Sequence, residues 1–535
     1  MAVREFDMLQ RLKYALAAAV LLVLAPQALA DTPKDTLVIA KNIDDMISLD
    51  PAEDYELSGI EVIANTYDRI MRFEPTDITK LVGGAAESVT VSDDGKTFTF
   101  KMRPGMKFAS GNPVTAQDAA FSLQRVIKLE KTPVFLLNQL GWTKDNVDQM
   151  VKAVDDATLQ VTITEDFAPS LVYALLSSGV GSVVDMKVAM EHEADGDLGY
   201  AWLKNNTAGS GAYVLKAWKP NESVVLEANP NYRGGEAKLK RVIIRHMPEP
   251  AAQRLALEKG DIDIARDLSP DQVAGLEGNK DVTVKSVPQA LLYYIGLNLK
   301  KKELQDVRVR QALRYLVDYD GMVNSFLKGS MQVHQSFWAS GFWASYDENP
   351  YKFDPDKAKA LLKDAGYPDG FELTFDTPNS APFTNIAQSV QSTMAQGGIK
   401  VNIVSSEVKA LLTKYRARQH EMLLIYWGPD YMDPHTNADG FAHNLDNSDN
   451  PKGKPLAWRN AWKDDEVNAM TEAAVRERDS AKREQMYKDL QKKVLDVGPY
   501  IIMFQNTIQL AQRANVKDFV MGPSSDVVYY NLATK

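Results

Sequence analysis

The chain has 535 residues, with 61 Lys plus Arg against 71 Asp plus Glu and a formal charge of −10. That balance argues against nucleic acid and anionic membrane as partners. Cysteine is absent, so the chain folds without a disulfide, and its length exceeds one core, so two or three domains are expected.

Arg4, Arg11 and Lys13 precede an apolar run over residues 14–26 (YALAAAVLLVLAP), with small residues at Ala28 and Ala30. This is the pattern of a secretory signal peptide cleaved after Ala30. A membrane anchor is the alternative, but the run is well short of the ~20 residues that cross a bilayer. Glu5 and Asp7 sit badly in a basic leader, so Met8 is a second candidate start. With no cysteine at the cleavage site to carry a lipid, the mature chain is expected free in a Gram-negative periplasm.

Strand patterns follow at residues 36–40, 97–102, 158–163, 224–227 and 401–404. Asp94-Gly95 marks a hairpin turn before the alternating TFTFKM, and Thr115 can cap a helix carrying Ala119, Phe121 and Val126. Asp306 can cap a second helix, through Val309, Leu313, Leu316 and Val317. A third is the clearest: Asp354 as cap, Pro355 in the first turn, an apolar face at Ala358, Leu361, Leu362 and Ala365, then Gly366 and Pro368 as terminators. Strands alternating with helices predict α/β layers.

Four segments carry a resemblance: residues 92–126, 209–265, 293–318 and 353–373. In this order and spacing they resemble the family 5 solute-binding proteins of ABC transporters, the peptide- and nickel-binding class. The resemblance implies a type II-like periplasmic-binding-protein fold, α/β, with two lobes around a cleft and an extra domain inserted in the N-terminal lobe. Lobe I would comprise residues 31–73, 205–288 and 504–535, the inserted domain 74–204 and lobe II 289–503. Chain crossings near 288–291 and 501–505 would form the hinge. The role implied is capture of a peptide or peptide-like amine-bearing solute by a monomer, and delivery to permease subunits in the inner membrane.

Residues 423–444 (LLIYWGPDYMDPHTNADGFAHN) bear most on the ligand. LLIYW reads as a buried strand broken by Gly428-Pro429, which exposes a loop with Asp430 and Asp433. In the family's peptide binders a carboxylate at the place of Asp430 meets the ligand ammonium; the competing reading is a turn cap paired with a local Lys. Tyr426 and Gly428 could pair through backbone with an extended ligand, and Asp433, before Pro434, is expected to serve the turn. Trp427, Tyr431, Tyr293, Tyr294, Trp338 and Trp343 are candidates for the aromatic walls of a pocket.

The family's dipeptide binders place an arginine for the ligand carboxylate in the helix corresponding to residues 381–398, where this chain has no Arg or Lys. Arg416 and Arg418 are near enough in sequence to compensate. The missing arginine keeps an opine, an oligosaccharide or another non-peptide solute open as the ligand. An enzyme is disfavoured: no Cys nucleophile, G-x-S-x-G, HExxH or P-loop occurs, and no cofactor is implied. His435 and His443 flank the candidate loop, leaving a nickel or haem site as a minor alternative, and a chemosensory receptor as another.

Overall fold

A computed structural model describes residues 31–535 apart from Thr76; the expected export segment lies outside these residues. No helix among them is long and apolar enough to cross a membrane.

Two long antiparallel strands, Val282–Leu297 and Tyr500–Arg513, pass through both lobes. The first half of Val282–Leu297 is largely exposed and its last residues are buried without a break, because the second half is covered by helices on both faces. The ladder between the two strands stops at Pro288, opposite Thr507, and resumes at Leu292, opposite Gln505. Proline supplies no N–H to continue it, and the interruption falls between the lobes.

On the lobe I side Ile264–Ala265 joins the sheet, followed by Thr36–Lys41, Arg241–His246, Ser223–Ala228 and Tyr213–Lys219. On the lobe II side come Met422–Trp427, Glu372–Pro378 and Lys400–Ser406, the last two parallel to each other. Apolar clusters cover both faces of each lobe's sheet. The chain therefore has a two-lobe α/β periplasmic-binding-protein fold.

A separate four-stranded sheet, in the order Ala86–Val91, Thr97–Met102, Thr158–Thr162 and Val151–Asp155, packs with helix Ala116–Leu129 around Phe98, Phe100 and Leu123. Thr115 and Asp118 form a reciprocal capping box at that helix. Strand Met71–Glu74 straddles the division expected at residue 73 and pairs with Asp77–Gly83. Asp354 caps helix Pro355–Asp364 by accepting the Lys357 N–H, and Asp306 caps Val307–Tyr315. That helix ends before Leu316 and Val317, which are buried beyond it.

The inserted unit also docks on lobe II. Tyr431 and Val475 are buried in its apolar core, and the Ala168 N–H donates to the Val475 carbonyl at 2.8 Å. Arg478 donates to the carbonyls of Asp93 and Asp94 and pairs with Asp166. It passes directly over Gly95, where φ is +75°, so a side chain there would meet both backbone strain and the guanidinium.

Candidate functional site

Between the lobes lies a cavity of about 530 Å³, a size suited to a small solute. Lobe I contributes Asn42, Asp44 and Asp45 after strand Thr36–Lys41, Leu57 and Ser58 at the start of helix Leu57–Thr66, and Arg266. Lobe II contributes Gly428 and Pro429, and the interrupted ladder contributes Gln289, Ala290, Leu291 and Asn506. A second cavity of about 670 Å³ lies on the other side of the same turn, lined by Trp427, Asp430, Thr436 and the loop from Leu445 to Leu456.

Asp430 stands at the junction. Strand Met422–Trp427 delivers it: four buried residues, then Tyr426 at 48 % exposure, then the Gly428-Pro429 break. Its Oδ1 accepts the Tyr55 hydroxyl at 2.5 Å, a bond from lobe I across the cleft, and its backbone N–H donates to Thr436 Oγ1. Phe135 packs edge-on against Tyr55. Burial raises the Asp430 carboxyl above its usual range, against the hydrogen bonds from Tyr55 and Thr436. Burial, followed by the Asp430 charge, raises the Tyr55 hydroxyl as well. Among the described residues no Lys, Arg or His forms an ion pair with Asp430.

The other candidates separate into those near this junction and those inside cores. Tyr293 and Tyr426 are register partners whose rings pack together and on Phe383. Trp427 lines the larger cavity, and its buried Nε1 has no hydrogen-bond partner among the described residues. The parallel neighbour Glu372–Pro378 pairs with Met422–Trp427 only as far as Leu423. Beyond that point this edge of the strand, leading to Tyr426 and Gly428, has no ladder partner among the described residues.

Three of the candidates are placed inside apolar cores. Tyr294 is turned by strand alternation to the face opposite Tyr293, fully buried, with its hydroxyl 3.2 Å from that of Tyr415. Tyr431 is 3 % exposed in the core of the inserted unit and donates to Gln139, so it joins domains rather than lining the cleft. Trp338 is 1 % exposed, and its Nε1 donates to the Trp343 carbonyl. Trp338 and Trp343 do line a small cavity of about 170 Å³ with Phe73, Tyr173 and Met432, apart from the Asp430 junction.

Asp433 serves the turn, accepting the His435 N–H, and does more: its carboxylate is held by Arg483 at 2.7 and 2.8 Å, both side chains buried. Arg418 does not compensate for the missing arginine; it is buried, bonded to Asn447 and Ser448 and stacked on Trp458. Arg416 is exposed. His435 is buried and pushed down to about 4 by burial, while His443 bonds Asp439 and Glu472. No group of three or more metal-ligating side chains is gathered among the described residues.

Tyr55, Asn42 and Arg266 escaped the sequence reading. Each lies in a connecting segment with no local pattern, and only the meeting of the lobes brings them to the cleft.

The comparisons with known proteins agree with this architecture. Residues 80–449 match the family of bacterial extracellular solute-binding proteins, family 5 (middle), and the chain belongs to that family. It is a solute-binding transport protein, not an enzyme. It is 33 % identical to the probable D,D-dipeptide-binding periplasmic protein of Escherichia coli strain K12, over 96 % of this chain and 97 % of that one. The dipeptide-binding protein of the same organism is 26 % identical, over 88 % of each chain. A solved ABC transporter-associated periplasmic binding protein of Helicobacter pylori, in complex with the peptide STSA, superposes with a TM-score of 0.74. It is 25 % identical, over 93 % of this chain and 98 % of that one.

Proposed function

We propose that the protein is the soluble periplasmic component of an ABC importer. It captures a dipeptide or a similarly small amine-bearing solute between its lobes and hands it, as a monomer, to permease subunits in the inner membrane. One observation carries the ligand chemistry. Asp430 is a partly buried carboxylate, and among the described residues its hydrogen bond from the opposite lobe comes from a neutral hydroxyl. A buried carboxylate is costly without a cation, and in a cleft that closes on its contents the ligand supplies it. The free strand edge beside Tyr426 suits backbone pairing with an extended ligand. The likeness to a D,D-dipeptide-binding relative supports a ligand of this size.

The test is calorimetry on the mature protein with free and N-acetylated L,L- and D,D-dipeptides, an opine and an oligosaccharide, alongside mass spectrometry of any ligand that co-purifies. A free dipeptide should bind at least about thirty-fold tighter than its N-acetyl form. Selective binding of the oligosaccharide, or no preference for the free amine, would overturn the reading. N-terminal sequencing of the exported protein should begin at Asp31.

A further inference from the structure

One short helix of the inserted unit stands behind both partners of the bond that crosses the cleft. Helix Val134–Asn138 turns Leu136 and Leu137 into the apolar core of that unit. Gln139 continues it with helical backbone, φ −58° and ψ −27°, so Phe135 and Gln139, at i and i+4, share another face. The Phe135 ring packs edge-on against Tyr55 of lobe I, with ring centroids 5.5 Å apart. Gln139 Oε1 accepts the Tyr431 hydroxyl of lobe II at 3.2 Å. Tyr55 in turn donates to Asp430 Oδ1 at 2.5 Å, and Asp430 is the chain neighbour of Tyr431.

The sheet does little to fix Asp430. Strand Met422–Trp427 ends before it, and the Gly428-Pro429 break takes the turn off the sheet, so no ladder bond among the described residues reaches it. Its backbone N–H donates to Thr436 Oγ1 at 3.1 Å. The firm anchor is the next residue. Tyr431 is 3 % exposed in the inserted unit's core, against which Tyr55 also packs, and its carbonyl accepts the Asp433 N–H at 3.0 Å. A second tie follows: Arg483, which holds Asp433, also donates to Ser170 of the inserted unit at 3.0 Å. The carboxylate thus stands between two tyrosines packed on the same core, and it lines the 670 Å³ cavity.

We infer that helix Val134–Asn138 positions Asp430 through Tyr431 and Tyr55, with Tyr431 the chief positioning residue, so that the inserted unit sets the carboxylate that meets the solute's ammonium. This rests on the proposed reading of Asp430 and deepens it by naming what holds that group in place. A short Asp side chain carries its carboxylate wherever the backbone of the turn puts it. A site held in its bound geometry before the solute arrives loses less free energy to ordering. A carboxylate fixed in this way discriminates sharply between an ammonium and the neutral amide that acetylation makes of it. The inserted unit therefore takes part in recognition through the turn.

The decisive measurement is calorimetry on the mature protein with L-alanyl-L-alanine and D-alanyl-D-alanine, each free and N-acetylated, read as the ratio of the two affinities. Wild-type protein should bind the better free dipeptide at least about thirty-fold tighter than its N-acetyl form. In Tyr431→Ala, which empties the seat, that ratio should fall to within about threefold. Tyr431→Phe keeps the ring, loses only the bond to Gln139 and should retain most of the ratio. Phe135 is 39 % exposed, so Phe135→Ala costs the fold little, and it should lower the ratio at least about threefold by freeing Tyr55. Val161→Ala, in strand Thr158–Thr162, loosens the same core from its sheet and should leave the ratio unchanged. An undiminished ratio in Phe135→Ala, or in folded Tyr431→Ala, overturns the inference and leaves the amine reading standing. An equal loss in Val161→Ala does the same, since general loosening would then account for the effect. If neither dipeptide binds, or the wild type does not prefer the free amine, the reading of Asp430 and this inference fall together.

Discussion

The two walls of the cleft are built in opposite ways. The lobe II wall comes from one run of chain: a strand, its break and the turn from Tyr426 to Thr436 supply the free edge, Asp430 and the support beneath it. The lobe I wall takes Lys41, Tyr55 and Arg266 from segments far apart in the chain, with the buried Glu61 and Tyr530 bonded behind it. Both walls carry carboxylates: Asp430 on lobe II, and Asp44, Asp45 and Asp267 beside Lys41 and Arg266 on lobe I. A contiguous wall can be read from local pattern, whereas a dispersed wall exists only once strands cross the sheet.

The contrast is broken hardest beneath the lobe II wall. Asp433→Asn leaves the Arg483 guanidinium, 1 % exposed, without its anion, and should destabilise the fold by about 3–5 kcal/mol, read by urea unfolding. An unchanged midpoint would show that Asp433 matters only to the turn. Asp430→Asn should instead leave the fold nearly as stable and weaken binding of a free dipeptide by about 2–5 kcal/mol, roughly thirty- to several-thousand-fold. Wild-type affinity in that variant would reduce Asp430 to a turn residue.

Tyr55→Phe removes the hydrogen bond that Asp430 accepts from lobe I. Hydrogen bonds to charged groups contribute about 1.5–3 kcal/mol, so the ligand-free protein should shift toward an open form, with a larger radius of gyration in small-angle scattering. Identical scattering curves for the two proteins would mean that this contact does not hold the lobes together.

The smallest effect sharpens the comparison from within lobe I. Asp54, beside Tyr55, is a buried carboxyl that burial pushes up to about 8, against the Glu56 backbone N–H and with help from Glu56, Asp45 and Asp526. Between an ordinary value of about 4 and about 8 the folded chain keeps a proton that the unfolded chain releases. Stability contributed by this group is therefore present at acid pH and declines as pH rises through that window. Asp54→Asn should raise Tm by about 2 °C or more at pH 8 and leave it unchanged at pH 4. A gain of equal size at both pH values would point to packing, not titration.

Much of the framework was legible because its signals are local. The cap at Asp354, the reciprocal cap at Thr115 and the alternation of Thr97–Met102 each bind neighbouring residues, and the structure has them where the pattern places them. The break at Gly428-Pro429 likewise announces an exposed turn with Asp430 on it. Tyr293 and Tyr294 mark the limit: alternation says that they face opposite ways, but not which face meets the cleft. For Tyr431 an apolar environment was foreseeable, while its seat in another domain was not.

By itself, then, the sequence determined which segments fold as strands and helices, where they stop, and which turn presents a carboxylate, since hydrogen bonding and side-chain periodicity act over a few residues. Tertiary structure alone decided the partners: Arg483 for Asp433, Tyr55 for Asp430, and Glu61 shared between Lys41 and Arg266. Those meetings depend on strand order in the sheet and on the closing of two lobes. A charge acts through space, over distances that no local pattern of residues records.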